Sequence, residues 1–280
     1  VNRRNFLLFP LAAFPVAGYA RYVEPGWLEL THERIPVANL TPGNSVRIAQ
    51  LSDLHNSPVV PRRLIEDAFA MALAQKPDIV CLTGDYVTDG KKHDELWYSG
   101  ALRGLSSRVP CFATLGNHDG GAWSGKRGTK PRSTAYVINL LQSAGISVLV
   151  NKRVEIPVRG NTIRLVGCGD LWAHQCNPWI AFRGVPQDLM PTVILSHNPD
   201  SKVMMDEFRW DLMLSGHTHG GQVVMPILDI SPAPVNDKRY IKGLKEWNGR
   251  QIHVSAGVGN IDGVRFNCRP QVNLIELYSV

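Results

Sequence analysis

The sequence predicts an α/β protein, and three observations carry the prediction. Short apolar runs with strand character alternate with segments of helical spacing. Five of the apolar runs end in Asp, His or Asn. The chain has 280 residues, 44% of them hydrophobic and 19% charged, which describes a folded globular protein rather than a disordered one. That length suits one substantial domain or two small ones.

The elements follow in order. Val46 to Leu51 alternates apolar and polar residues as a strand does. Pro61 opens a helix over 61–75, with Leu64, Ile65, Ala68, Phe69, Ala72 and Leu73 on one face. Ile79 to Leu82 is wholly apolar and predicts a buried strand. Thr134 to Ala144 again has helical spacing. Ile163–Val166, Thr192–Leu195 and Leu212–Leu214 are short strand runs, and Ile252–Ser255 and Val272–Leu277 close the chain. There is no internal repeat, low-complexity tract or second-domain linker.

The polar ends of the strands carry the chemistry. Ser52-Asp53-Leu54-His55 follows the first run, and Thr83-Gly84-Asp85 the second. Gly116-Asn117-His118-Asp119 follows the run at 111–115, Ser196-His197 the run ending at Leu195, and Gly216-His217-Thr218-His219 the run ending at Leu214. In α/β sheets a site forms off the carboxyl ends of the strands, so these residues gather on one rim. Each segment alone reads as a turn; a turn explanation for all five together is poor. The set offers carboxylates, imidazoles and an amide oxygen but no thiolate. That suits Mn, Fe, Zn or Co and disfavours a zinc finger. It is too large for one ion; two ions sharing Asp85 would use it, in the arrangement that serves hydrolysis at phosphorus.

The amino terminus suggests export or anchoring. Arg3–Arg4 precedes an uncharged, mostly apolar stretch from Phe6 to Ala20 that contains Pro10 and Pro15. It resembles a bacterial twin-arginine signal and is short for a spanning helix. Tyr22, Val23, Trp27, Leu28 and Leu30, among Arg21, Glu24 and Glu29, suit a lipid headgroup layer; a terminal helix packed on its own domain is the alternative. The expected organisation is a signal or anchor at 1–20, an interfacial segment at 21–44 and a catalytic domain at 45–280. The expected location is the bacterial inner membrane, on either face.

The strand-end motifs, in order across about Val46 to Leu277, resemble the calcineurin-like metallophosphoesterase superfamily. The stretch Glu24-Pro25-Gly26-Trp27-Leu28-Glu29 after a twin arginine is further similar to its membrane-linked bacterial phosphodiesterases, including the chlamydial type of UDP-2,3-diacylglucosamine pyrophosphatase. The resemblance implies a four-layer α/β/β/α sandwich with two mixed sheets, and two divalent ions, Mn2+ first among them. It gives one ion to Asp53, His55, Asp85 and His219 and the other to Asp85, Asn117, His197 and His217. A bridging hydroxide would attack phosphorus in line. His118 would protonate the leaving oxygen or steady the phosphoryl oxygens, with Asp119 orienting its ring. The chain departs from its relatives near Gly263 and Gln271, where they commonly carry proline and glutamate.

Substrate choice falls to the glycine-rich segment after Asp119. Trp123, Lys126, Arg127, Lys130 and Arg132 stand on it and could grip a second phosphate and a base or sugar; a solvated loop is the plain alternative. Trp172 is a second candidate contact. The expected substrate is a phosphorylated small molecule or lipid, with a nucleotide-sugar lipid such as UDP-2,3-diacylglucosamine foremost. A broader phosphodiesterase or phosphatase is the alternative, and a non-enzymatic scaffold fits poorly with a complete ligand set. The net charge of +6, from 30 basic and 24 acidic residues, is a mild bias, so no nucleic-acid partner is expected, and the chain is read as a monomer. Cys81, Cys111, Cys168, Cys176 and Cys268 include no C-x-x-C pair, which argues for free thiols.

Overall fold

The computed structural model describes residues 15–88, 94–121, 133–186, 188–225 and 232–280. Among the described residues, twelve strands form two six-stranded sheets. The first contains β1 (Glu29–Val37), β2 (Ser45–Leu51), β3 (Ile79–Thr83), β4 (Cys111–Thr114), β5 (Ser147–Val148) and β12 (Gln271–Ser279), in the order β1-β12-β2-β3-β4-β5. Only β12 and β2 pair antiparallel in it. The second contains β6 (Lys152–Val158), β7 (Asn161–Gly167), β8 (Thr192–Leu195), β9 (Leu212–Ser215), β10 (Gly243–Trp247) and β11 (Arg250–Val254), in the order β10-β11-β9-β8-β7-β6. Its outer pairs are antiparallel and its inner ones parallel. Both sheets are therefore mixed.

Three apolar cores separate the layers. Helices α1 (Arg62–Ala74), α2 (Glu95–Ser106) and α3 (Thr134–Ser143) cover the first sheet through Leu64, Ile65, Leu102 and Leu141, which meet Leu51, Leu82 and Ala113. Between the sheets lie Ile48, Ile79, Cys81, Leu165, Leu195, Leu212 and Ile275. Outside the second sheet, Phe182, Met205, Trp210 and Tyr240 form a thinner layer with the single turn α4 (Pro178–Ala181). The result is the four-layer α/β/β/α sandwich. Central strands buried on both faces read as unbroken apolar runs, which is why the sequence exposes them.

The expected membrane attachment is corrected here. Among the described residues no helix is long and apolar enough to cross a membrane. Of the residues expected at a lipid surface, Glu29 and Leu30 open β1, which runs parallel to β12 over its whole length, while Tyr22, Val23, Trp27 and Leu30 are exposed. The alternation of β1 buries Ile35 and Val37 between the sheets, and Arg34 lies over the Tyr278 ring at 4.7 Å. Residues 15–22 are helical. Trp27 lies under the Arg269 guanidinium at 4.3 Å. From Glu29 onward the segment is an edge strand with Ile35 and Val37 turned inward. The Arg3–Arg4 pair and Pro10 lie outside the described residues.

Leu212→Ala, in the core between the sheets, should lower the free energy of unfolding by about 2–5 kcal/mol, read by urea titration. Leu96→Ala, at a side chain that is 88% exposed, should change it by less than about 0.5 kcal/mol. A pH effect follows from Arg164, a buried guanidinium that donates to Asp188 at 2.9 Å and Glu155 at 2.8 Å. Its hydrogen bonds hold Asp188 below the usual carboxylate value, at about 2. The stabilisation is present above the unfolded carboxylate pKa and is lost as pH falls toward about 2. Asp188→Asn should flatten that acid limb in thermal unfolding.

Candidate active site

The loops after β2 and β3 zip together through backbone bonds. Asp53 N–H donates to Gly84 C=O at 2.9 Å, His55 N–H to Asp85 C=O at 3.0 Å and Asn56 N–H to Tyr86 C=O at 2.9 Å. This turns Asp53, His55 and Asp85 inward. The backbone cost is visible: Asp53, His55, Asp85, His217 and His219 all take positive φ, between 47° and 69°. Glycine is required where these loops touch. A Cβ at Gly116 would overlap the Asp85 carboxylate, and one at Gly216 would collide with Ser52 Oγ and Asp53 Oδ2.

Asp53, His55, Asp85 and His219 each place a ligand atom within 4.8 Å of the others, and all four are buried. His55 Nε2 stands 3.1 Å from His219 Nε2 and 3.5 Å from Asp85 Oδ2, and His219 Nε2 stands 3.5 Å from Asp53 Oδ1. A second group adjoins the first through the same carboxylate. His197 Nε2 lies 3.2 Å from Asp85 Oδ2, His217 Nδ1 lies 2.7 Å from Asn117 Oδ1, and the His197 and His217 ring centroids are 5.1 Å apart. Asp85 Oδ2 thus faces both groups.

The residues fit two divalent cations. His197 Nδ1 bonds the Thr83 carbonyl at 2.6 Å, so that nitrogen carries the proton and Nε2 presents its lone pair to the centre. His197 Nε2 and His217 Nε2 are buried without an aligned hydrogen-bond partner. Burial lifts Asp53 to about 6, helped by the nearby Asp85 charge. Burial also opposes the Asp85 anion, but His197 and His118 outweigh it and hold Asp85 well below the ordinary range. His197 is raised by Asp85 against its own burial, whereas burial and the neighbouring His197 push His217 down to about 3. The centre therefore attracts positive charge, while burial favours the neutral, ligating form of His217 and His219.

His118 sits on the turn Asn117–Asp119, its backbone N–H donating to Asp85 Oδ1 at 2.8 Å. Its ring meets His55 edge-on, with centroids 5.1 Å apart. Asp119 has a different set of contacts from the one expected. Its carboxylate accepts from the backbone N–H groups of Gly116, Asp85 and Tyr86, each at 2.8 Å, and of Val87 at 3.4 Å. It clasps the two ligand-bearing turns together. Trp172 stands edge-on to His217, centroids 4.3 Å apart, and borders a cleft of about 300 Å³ with His118, Gln222, Pro234 and Ile261. Trp123, Lys126, Arg127, Lys130 and Arg132 lie outside the described residues.

Sequence reasoning passed over Asp170. It follows β7 as Gly167-Cys168-Gly169-Asp170, a sixth apolar strand with a polar end. Its Oδ1 accepts from Ala173 N–H at 2.7 Å, which folds the turn that carries Trp172. Burial raises its carboxyl to about 6.

The profile of calcineurin-like phosphoesterases matches residues 46–221, which span the carboxyl ends of β2, β3, β4, β8 and β9. The chain belongs to the calcineurin-like phosphoesterase family. This family member is 41% identical over 282 residues to phosphodiesterase YaeI of Escherichia coli, covering 99% of both chains. It is 26% identical over 321 residues to the UDP-2,3-diacylglucosamine pyrophosphatase LpxG of Chlamydia muridarum, covering 96% of this chain and 95% of that one. Among solved structures, the NAD nucleotidase of Haemophilus influenzae superposes with a TM-score of 0.50 at 16% identity, over 78% of this chain and 46% of that one. That likeness shows the fold. The protein is a binuclear metallophosphoesterase, and its His/Asp centre suits ions such as Mn2+, Fe, Zn or Co.

Asp85→Ala should bind neither ion, checked by elemental analysis of the folded variant; two retained ions would remove the shared-ligand assignment. Gly216→Ala, whose methyl would press on Asp53, should weaken Mn2+ binding about tenfold or more, read by calorimetric titration.

Proposed function

We propose that the protein hydrolyses phosphodiester or diphosphate bonds, with Asp53, His55, Asp85 and His219 holding one ion and Asp85, Asn117, His197 and His217 the other. The observation that carries the reading is the carboxylate of Asp85, whose Oδ2 lies 3.5 Å from His55 Nε2 and 3.2 Å from His197 Nε2. One oxygen facing both groups of ligands suits a shared ligand between two ions. When bound, the two ions neutralise phosphoryl charge and make water nucleophilic near neutral pH.

The chain's own residues supply the rest. His118 borders the cleft beside Asp85 and gives a proton to the leaving oxygen. Asp119 fixes the His118 turn by its backbone bonds, so the imidazole approaches from a set direction. Trp172, Pro234 and Ile261 form an apolar wall for the organic part of the substrate. The relative named a phosphodiesterase, with 41% identity along the whole chain, supports a diester.

A second, finer reading is UDP-2,3-diacylglucosamine as substrate. It is supported by the full-length similarity to the chlamydial pyrophosphatase and by the apolar wall of the cleft. Turnover of bis(4-nitrophenyl) phosphate and of UDP-2,3-diacylglucosamine, each with Mn2+, separates the two. Good turnover of the simple diester with none of the sugar lipid would remove the finer reading; turnover of neither would remove both. His118→Ala should keep both ions and lose about 100-fold or more in kcat, measured on a diester with a poor leaving group.

A further inference from the structure

Three side chains outside the ligand set, Glu24, Arg265 and Cys268, are buried, and the segments that carry them meet. The carboxylate of Glu24 accepts from the backbone N–H of Cys268 at 2.5 Å and of Asn267 at 3.1 Å. The helical segment before Glu24 adds two more ties. Arg265 N–H donates to the Ala20 carbonyl at 2.9 Å, and Arg21 Nη1 donates to the Gly263 carbonyl at 2.8 Å. Residues 20–24 therefore grip the loop from Gly263 to Cys268 at four points.

That loop in turn grips both ends of the ligand set. Cys268 Sγ donates toward the His219 carbonyl at 3.1 Å and lies 3.4 Å from the Gly220 carbonyl. A Cβ on Gly220 would strike the same sulfur, so thiol and loop are closely packed. Phe266 N–H donates to the Gln222 carbonyl at 2.9 Å, which fixes the far end of the His219 turn. On the other side, the Arg265 guanidinium donates to the carbonyls of Ala256, Gly257 and Gly259 at 2.8, 3.2 and 2.6 Å. The strip it holds backs Asp53: Gly259 N–H donates to the Asp53 carbonyl at 2.7 Å, and Val258 N–H to the Ser52 carbonyl at 2.9 Å.

We propose that residues 20–24 and the loop from Gly263 to Cys268 form a buried clamp that positions Asp53 and His219, with Glu24, Arg265 and Cys268 as its positioning residues. The proposal rests on the metal reading above. It gives the segment before β1 a part in the active site. The two ligands it supports belong to the same group of four. The His197 side of the centre is held separately by Thr83. The clamp should thus act on one ion and spare the other.

Calorimetric titration of the full chain with Mn2+, together with amide hydrogen exchange, tests this. Glu24→Gln keeps the volume but turns an amide N–H toward one of the two backbone donors. One binding step should weaken about tenfold or more, as when a residue behind a ligand is lost, and the other should not change. Amides of Gly220, Gly221 and Gln222 should exchange faster, while those of Asp85 and Tyr86, held by Asp119, stay protected. Cys268→Ala should give the same split and Cys268→Ser, which restores a donor to the His219 carbonyl, should reverse it. Two unchanged binding steps and unchanged exchange in folded Glu24→Gln would overturn the clamp. If that variant does not fold, Cys268→Ala decides by the same two readouts. A wild-type chain that binds no Mn2+ would overturn the metal reading instead, and the exchange rates would still decide the clamp.

Discussion

Asp53 and Asp85 are buried anions confined to one small space, and the rest of the structure answers to that confinement. Two carboxylates so placed repel each other and lose their hydration. They are tolerable only where positive charge and oriented donors surround them. His55, His197 and His219 stand within 3.5 Å of their oxygens, and the backbone N–H groups of His118 and His217 point at them. Such a centre suits divalent cations, whose charge would compensate both anions at once.

The backbone carries part of the cost. Five residues of the centre adopt left-handed φ values, each a strain of about 1–3 kcal/mol for a residue with a side chain. The sandwich can hold that strain because both sheets send parallel strand ends to the same rim. Buried cores on three levels fix the strands. The Asp119 clasp and the glycines at 116 and 216 then let the loops approach without collision.

How much of this was legible beforehand differs by element. The buried strands β3, β8 and β9 are continuous apolar runs, so periodicity reveals them along with the polar residues at their ends. β1 was misread because an edge strand and an interfacial segment both alternate aliphatic with charged residues, as Leu30, Ile35 and Val37 stand among Glu29, Glu33 and Arg34 here. Its pairing with β12 joins residues more than two hundred positions apart, and no local pattern encodes that register. Asp170 was passed over although Gly169-Asp170 repeats the Gly84-Asp85 pattern at the end of a strand.

The sequence by itself determined the class of fold, the ligand chemistry and the order in which the ligands arrive, because strand hydrophobicity and donor type are local properties. Only the tertiary structure decided which groups face one another. It placed the Asp85 carboxylate between two clusters and turned Asp119 toward backbone donors. It also paired Glu29–Val37 of the amino-terminal segment with β12, as the edge of the first sheet. Each of these depends on contacts across the chain, where burial and hydrogen-bond geometry, not residue type, select the partner.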